Sequence, residues 1–120
     1  MKPASCKAKG RLFQQWVRDQ ILQLNPELQP DDVRSTSMGN GGEDIQLSPA
    51  ARKLFPHQIE CKSRASFALY KDYIQATAHG KHPPILFIKA NNKKPLAVID
   101  AELLIKLIRI TNDFPQYRKD

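Results

Sequence analysis

The stretch Ile59-Glu60-Cys61-Lys62 constrains this chain more than any other. On a strand, residues two apart project from the same face, so Glu60 and Lys62 point together while Ile59 and Cys61 turn to the core. Upstream, Glu43 to Leu47 reads as a second short strand. If Asp44 sits beside Glu60, two acids and an ammonium converge on one spot.

At 120 residues, 41% of them hydrophobic and 26% charged, the chain has enough material for one compact domain and too little for two. Nineteen Lys and Arg against twelve Asp and Glu give a formal charge of +7. That balance favours polyanionic partners with salt-sensitive binding, and by itself it suits nucleic acid and an anionic membrane equally. No apolar run approaches the roughly 20 residues of a membrane span, and the basic N-terminus lacks a following apolar signal region. The expectation is a soluble, intracellular, cytoplasmic protein with no membrane partner. Cys6 and Cys61 make neither a disulfide framework nor a zinc spacing.

Periodicity divides the chain further. Leu12, Phe13, Trp16, Val17, Ile21 and Leu24 recur at three- and four-residue steps, predicting an amphipathic helix over 9–24 that Asn25-Pro26 ends. Asp32 to Ser35 begins a sheet, the Gly-rich run from Ser37 to Gly42 is a turn or loop, and Glu43 to Leu47 is a strand. Ser48-Pro49 starts a brief capped helix, followed by a strand over 57–62. A second helix over 65–78 precedes a strongly apolar central strand over 84–89. Asn91 to Lys94 turns into a strand over 96–99, and Asp100 caps a third helix through Ile110. The order describes an α/β sandwich on a mixed sheet. We expect residues 1–8 to be a flexible basic terminus, 9–112 a single domain, and 113–120 a tail.

Phosphodiester cleavage asks for a metal that polarises the phosphate and lowers the pKa of an attacking water. Mg2+ prefers one or two carboxylates and keeps several waters, which Asp44 and Glu60 satisfy, and the backbone carbonyl of Cys61 offers a further hard oxygen. Lys62 is a compact cation able to position that water or meet charge on the phosphate. A carboxylate-x-Lys triplet alone arises by chance roughly 0.8 times in such a chain. Its context carries the weight: it ends an apolar strand, an acid precedes it on another strand, and a helix comes after it.

Taken in order, Gly42-Glu43-Asp44-Ile45, a short insertion, and Ile59-Glu60-Cys61-Lys62 followed by helix and strand resemble the PD-(D/E)XK nuclease superfamily. Within it the chain is most similar to the small phage-type and archaeal-type Holliday-junction resolvase-like endonucleases. Lys9-Gly10-Arg11, Arg34-Ser35 and Gln75-Ala76 also look like that group, so the resemblance spans roughly residues 9–99.

The resemblance implies a restriction-endonuclease-like αβββαβ core with a central mixed sheet flanked by helices. It implies Asp44 and Glu60 as metal ligands, Lys62 as the catalytic lysine and Gln75 close to the site, with Mg2+ as cofactor and Mn2+ as a substitute. It further implies a homodimer acting on DNA, with branched or junction DNA as the target. A restriction-like or nicking nuclease on duplex or single strands is the alternative within the class. A nucleic-acid-binding module without turnover is the alternative outside it. One departure is visible: where such resolvases place a glutamate on the first helix, this chain has Gln14, which leaves Glu43 as a possible further acid.

Other residues carry blander expectations. Glu43 points to the opposite strand face and reads as solvated or structural. Lys9, Arg11, Arg34, Arg52 and Arg64 flank the site in sequence and are candidate phosphate contacts, with Ser35 and Ser37 as candidate hydroxyl donors. His57, His79 and His82 lack ligand spacing and read as structural or surface residues, and Trp16 reads as core. The third helix is apolar on more than one face, as a buried helix or a dimer seam would be.

Overall fold

The computed structural model describes residues 3–36 and 42–113. The first helix, α1, runs from Pro3 to Leu22 and buries Phe13, Val17 and Ile21 along one side, the stripe its periodicity predicts. It begins earlier than that stripe does, so Pro3 to Ala8 belong to α1 and not to a separate terminus. Arg18 fastens α1 to the start of the sheet region, donating from Nε to the Val33 carbonyl (2.7 Å) and from Nη2 to the Pro30 carbonyl (2.9 Å).

After a 3₁₀ turn at Pro30–Asp32, strands β1 (Val33–Ser35) and β2 (Ile45–Leu47) pair antiparallel, with Val33 opposite Leu47 and Ser35 opposite Ile45. Helix α2 (Pro49–Leu54) starts where Ser48 Oγ accepts the Ala51 N–H at 3.1 Å and proline fills the first helical position. Strand β3 (Ile59–Ser63) leads through α3 (Leu69–Thr77) to β4 (Ile85–Lys89), which pairs parallel to β3 with Glu60 opposite Leu86 and Lys62 opposite Ile88. A turn with Asn92 in the left-handed region (φ 59°) reverses the chain into β5 (Leu96–Val98), antiparallel to β4. Asp100 Oδ1 then accepts the Leu103 N–H at 2.9 Å and caps α4 (Ala101–Asp113).

The protein is thus mixed α/β, with a three-stranded mixed sheet β3-β4-β5 flanked by helices. The expected central sheet divides in two, because β1 and β2 form their own ladder. What joins the two is the backbone of Asp44, whose N–H donates to the Ile59 carbonyl at 3.1 Å.

Phe13, Val17, Ile21, Val33, Ile45, Ala51 and Ile59 form one buried cluster, against which Cys61 and Phe87 also pack. Each large aliphatic side chain among them contributes about 1.5–3 kcal/mol by burial. Since strand residues alternate, the α1 side of the three-stranded sheet carries Ile59, Cys61 and Phe87, and the opposite side carries Glu60, Lys62, Leu86 and Ile88. Helix α3 packs against β4 and buries Ala76 and Asp72. Helix α4 buries no residue and leaves Leu104, Ile105, Ile108 and Ile110 exposed. Among the described residues no helix is long and apolar enough to cross a membrane. Cys6 and Cys61 are free thiols.

Candidate functional site

Glu60 is 4% exposed, yet it is a carboxylate on a sheet face shared with Leu86 and Ile88. Lys62, two residues on, brings Nζ to 3.7 Å from Glu60 Oε1. Asp44 approaches from the end of the β1–β2 hairpin, anchored by its own Oδ2, which accepts the Cys61 N–H at 2.7 Å. The sequence-predicted trio of Asp44, Glu60 and Lys62 is therefore brought together.

The electrostatics reflect that crowding. Burial, the hydrogen bond with the Asp44 side chain and the Asp44 charge push the Glu60 carboxyl up to about 8, against a smaller opposing pull from Lys62. Two acids this close share a proton or need a cation between them. Burial, reinforced by the Asp44 and Glu60 charges, also drives the Cys61 thiol well above its ordinary range, so it is an inert side chain. Glu60 Oε2 is buried without a hydrogen-bond partner among the described residues. His79 Nε2 comes within 2.8 Å of it, outside the angles of a hydrogen bond. Sequence spacing gave no warning of His79. It reaches the site because the loop after α3 folds back beside β3, held by Gln58, whose Nε2 donates to the His79 carbonyl (3.3 Å) and whose Oε1 lies 3.0 Å from His82 Nδ1.

Asp44 and Glu60 are the side chains able to hold a divalent metal. Mg2+ takes one or two carboxylates and fills its other positions with water, and Glu60 Oε2, which has no hydrogen bond among the described residues and meets His79 Nε2 at 2.8 Å, is the oxygen such an ion would meet. Among the described residues no group of three or more His, Cys, Asp and Glu is arranged for a metal.

Several other expected members are occupied elsewhere. Gln14 is buried, and its Oε1 accepts from Ser35 Oγ at 2.8 Å, tying α1 to β1. Ser35 is thus a brace for Gln14 and not a free hydroxyl. Glu43 pairs with Arg52 Nη2 and accepts the Ile59 N–H on Oε2 (3.1 Å), while Arg52 Nη1 donates to the His57 carbonyl (2.6 Å). This clamp holds α2 to the start of β3, which assigns Glu43 and Arg52 to structure. Arg64 Nη1 lies 3.0 and 3.2 Å from the two oxygens of buried Asp72, which pins α3 to the end of β3. Gln75 is exposed on α3 with no side-chain hydrogen bond to a described residue. Arg11 and Arg34 are exposed, and Lys9 Nζ donates to Asn91 Oδ1 at 3.2 Å. Ser37 lies outside the described residues.

Trp16 departs most from its sequence reading. It is 43% exposed, its ring stacked on that of Phe13 at 6.2 Å with planes inclined by 16°. Of the histidines, His57 is buried with Nδ1 3.0 Å from the Pro83 carbonyl, a structural role as expected. Compared with known proteins, the chain matches no family model, no curated protein and no solved structure.

Proposed function

We propose that this protein is a metal-dependent DNA endonuclease that hydrolyses phosphodiester bonds and selects branched DNA. What supports the reading is one relationship: a buried carboxylate, Glu60, crowded by a second, Asp44, and flanked at 3.7 Å by the ammonium of Lys62. The net charge of +7 supplies the attraction for a polyanion. A divalent cation on Asp44 and Glu60 would supply Lewis acidity toward the phosphate and a readily deprotonated water. Lys62 would donate to a non-bridging phosphate oxygen, holding the phosphorus in line for attack and meeting the charge that develops on it. The backbone N–H of Cys61 holds one oxygen of the Asp44 carboxylate, and the other would be available to such a cation.

A second reading has an observation of its own. Gln14 is committed to Ser35 and brings no third acid, which suits a nucleic-acid-binding module without turnover. A labelled four-way junction, a duplex and a single strand, each incubated with Mg2+ or Mn2+ and wild type, Glu60→Ala or Lys62→Ala protein, separate the possibilities. Junction cleavage lost in both variants supports the proposal. Binding without cutting supports the module, and equal cutting of all three supports a restriction-like or nicking nuclease.

The partner we propose is a second copy of the chain, docked through α4. Leu103 and Leu107 are half-buried, while Ala101, Leu104, Ile105 and Ile108 form a separate exposed stripe. Glu102 and Arg109 lie on one flank of that stripe. In a two-fold antiparallel pairing the same flanks meet, so Glu102 of one copy faces Arg109 of the other, twice. Two sites related by a two-fold suit symmetric cutting of a junction.

A further inference from the structure

On the α1 side of the three-stranded sheet, away from Glu60 and Lys62, α1 and the turn after β4 enclose a cleft of about 400 Å3. Its aromatic wall is Trp16 stacked on Phe13. Leu12, Pro95, Lys9, Lys89, Asn91 and Asn92 line the cleft as well. Among the described residues no acid lines it.

We propose that this cleft binds one unpaired nucleobase of a DNA strand, stacked on Trp16, with the phosphates on either side held by Lys9 and Lys89. The inference rests on the nucleic-acid reading above and sharpens its substrate class to DNA that carries unpaired bases.

Four observations carry it. Trp16 keeps a large apolar surface in water although Phe13 beneath it is 4% exposed, so a supported aromatic platform faces solvent. Such platforms hold bases of any sequence, because every base presents a π-face. The cleft falls within the range of roughly 300–1,000 Å3 typical of small-ligand sites. The two lysines of the lining, with no described acid beside them, favour an anion, and they come from different elements, Lys9 from α1 and Lys89 from the end of β4, as two successive phosphates of a chain would need. Finally, Asn91 and Asn92 carry donors and acceptors together, the combination that base edges present, on a turn closed by the Lys93 N–H to the Ala90 carbonyl (3.2 Å), and Asn91 Oδ1 accepts from Lys9 Nζ at 3.2 Å, which places that ammonium beside the turn.

The placement also connects the two sites. Ser63 and Lys89, at the C-terminal ends of β3 and β4, line the cleft, and Ser63 is the residue directly after Lys62. A strand leaving the cleft around the end of β3 would pass Lys62 and Glu60. A paired base must first leave its stack, at a cost of a few kcal/mol, so the cleft favours DNA already unpaired at a branch or in a single strand.

Trp16 is the sole tryptophan of the chain, so its emission reports on the cleft directly. The whole protein, in EDTA and at fixed salt, is titrated with oligothymidylate, with a blunt duplex, with that duplex carrying one extrahelical thymine, and with thymidine monophosphate, while DNA binding is followed independently by anisotropy. The expected result is quenching by the first and third, and duplex binding without comparable quenching. Trp16→Ala should weaken single-strand binding about 5- to 100-fold and leave blunt-duplex binding within about twofold. Trp16→Phe should keep most of the affinity, which separates stacking from any loss of fold. Lys9→Ala and Lys89→Ala should each weaken single-strand binding. Equal quenching by the blunt duplex, absence of quenching by DNA that binds, or undiminished single-strand binding by Trp16→Ala would each overturn the proposal. Quenching by the mononucleotide at the same concentrations as the oligomer would replace it with a free-nucleotide site. Cleavage without quenching sinks the cleft alone, and quenching without cleavage sinks the nuclease alone.

Discussion

Lys62 Nζ stands 3.7 Å from one oxygen of Glu60, while the other oxygen of the same carboxylate, buried without a hydrogen bond among the described residues, meets His79 Nε2 at 2.8 Å. A half-satisfied buried carboxylate costs stability, so its proton becomes part of the fold.

Stability should therefore fall with rising pH. Below about pH 4.5, the ordinary value, Glu60 is protonated whether the chain is folded or not. Between there and about 8 the unfolded chain releases that proton and the folded chain keeps it, so folding is progressively disfavoured, with a limiting slope of about 1.4 kcal/mol per pH unit. Thermal unfolding of wild type and Glu60→Gln from pH 5 to 8 tests this. The variant should show a flatter profile and a higher Tm at pH 8; equally steep profiles would remove Glu60 as the source. Millimolar Mg2+ or Mn2+ should raise the wild-type Tm at pH 8 and leave that of Glu60→Gln nearly unchanged.

The arginines should separate into two groups. Arg52→Ala strands Glu43, whose side chain is 11% exposed, and should cost about 3 kcal/mol of stability. Arg64→Ala strands Asp72 and should cost about 1–3 kcal/mol. Arg34→Ala and Arg11→Ala, on exposed side chains, should leave stability within about 0.5 kcal/mol. Each of these two should also lower DNA affinity and reduce the slope of log affinity against log salt by about 1. Denaturant melts and salt titrations of the four variants would show whether Arg52 is a clamp or a phosphate contact.

Self-association should depend on α4. Ile105→Glu places a charge in the centre of the exposed stripe and should halve the solution mass measured by sedimentation. Glu102→Arg should weaken the dimer, and the double variant Glu102→Arg, Arg109→Glu should restore it. A wild type that sediments as a monomer at high concentration would rule this face out.

Gly80 gives a test of how His79 is held. A Cβ at that position would lie 2.7 Å from the Gln58 side-chain amide carbon, and that amide is fixed by His79 and His82. Gly80→Ala should cost about 1–2 kcal/mol and lower cleavage by moving His79 away from Glu60. An unchanged cleavage rate would free His79 from any part in the chemistry.

The two-residue spacing of Glu60 and Lys62 was legible because strand geometry leaves a single outcome for such a pair, whereas Asp44, expected on a strand over 43–47, lies in the bend just before β2 and reaches Glu60 through its bonds to the backbone of β3. Helical stripes fixed α1 through Val17 and Ile21 equally well. What composition conceals is which cations are already spent: Arg52 and Arg64 find their acids nine and eight positions away, across turns that no periodicity describes. Trp16 sits on the apolar stripe, and only the absence of a covering element among the described residues leaves the ring exposed. The split of the sheet escaped for a similar reason, since β1 and β2 are each too short for their pattern to say which neighbour they join.

Asp44 joins those halves, and this has a meaning apart from chemistry. Its amide and carboxylate occupy the Ile59 carbonyl and the Cys61 N–H, the groups a foreign strand would seek along the outer edge of β3. One residue thus blocks edge-to-edge pairing twice, its backbone at Ile59 and its side chain at Cys61. Asp44→Ala would consequently lower solubility, whereas Lys62→Ala would leave the edge sealed.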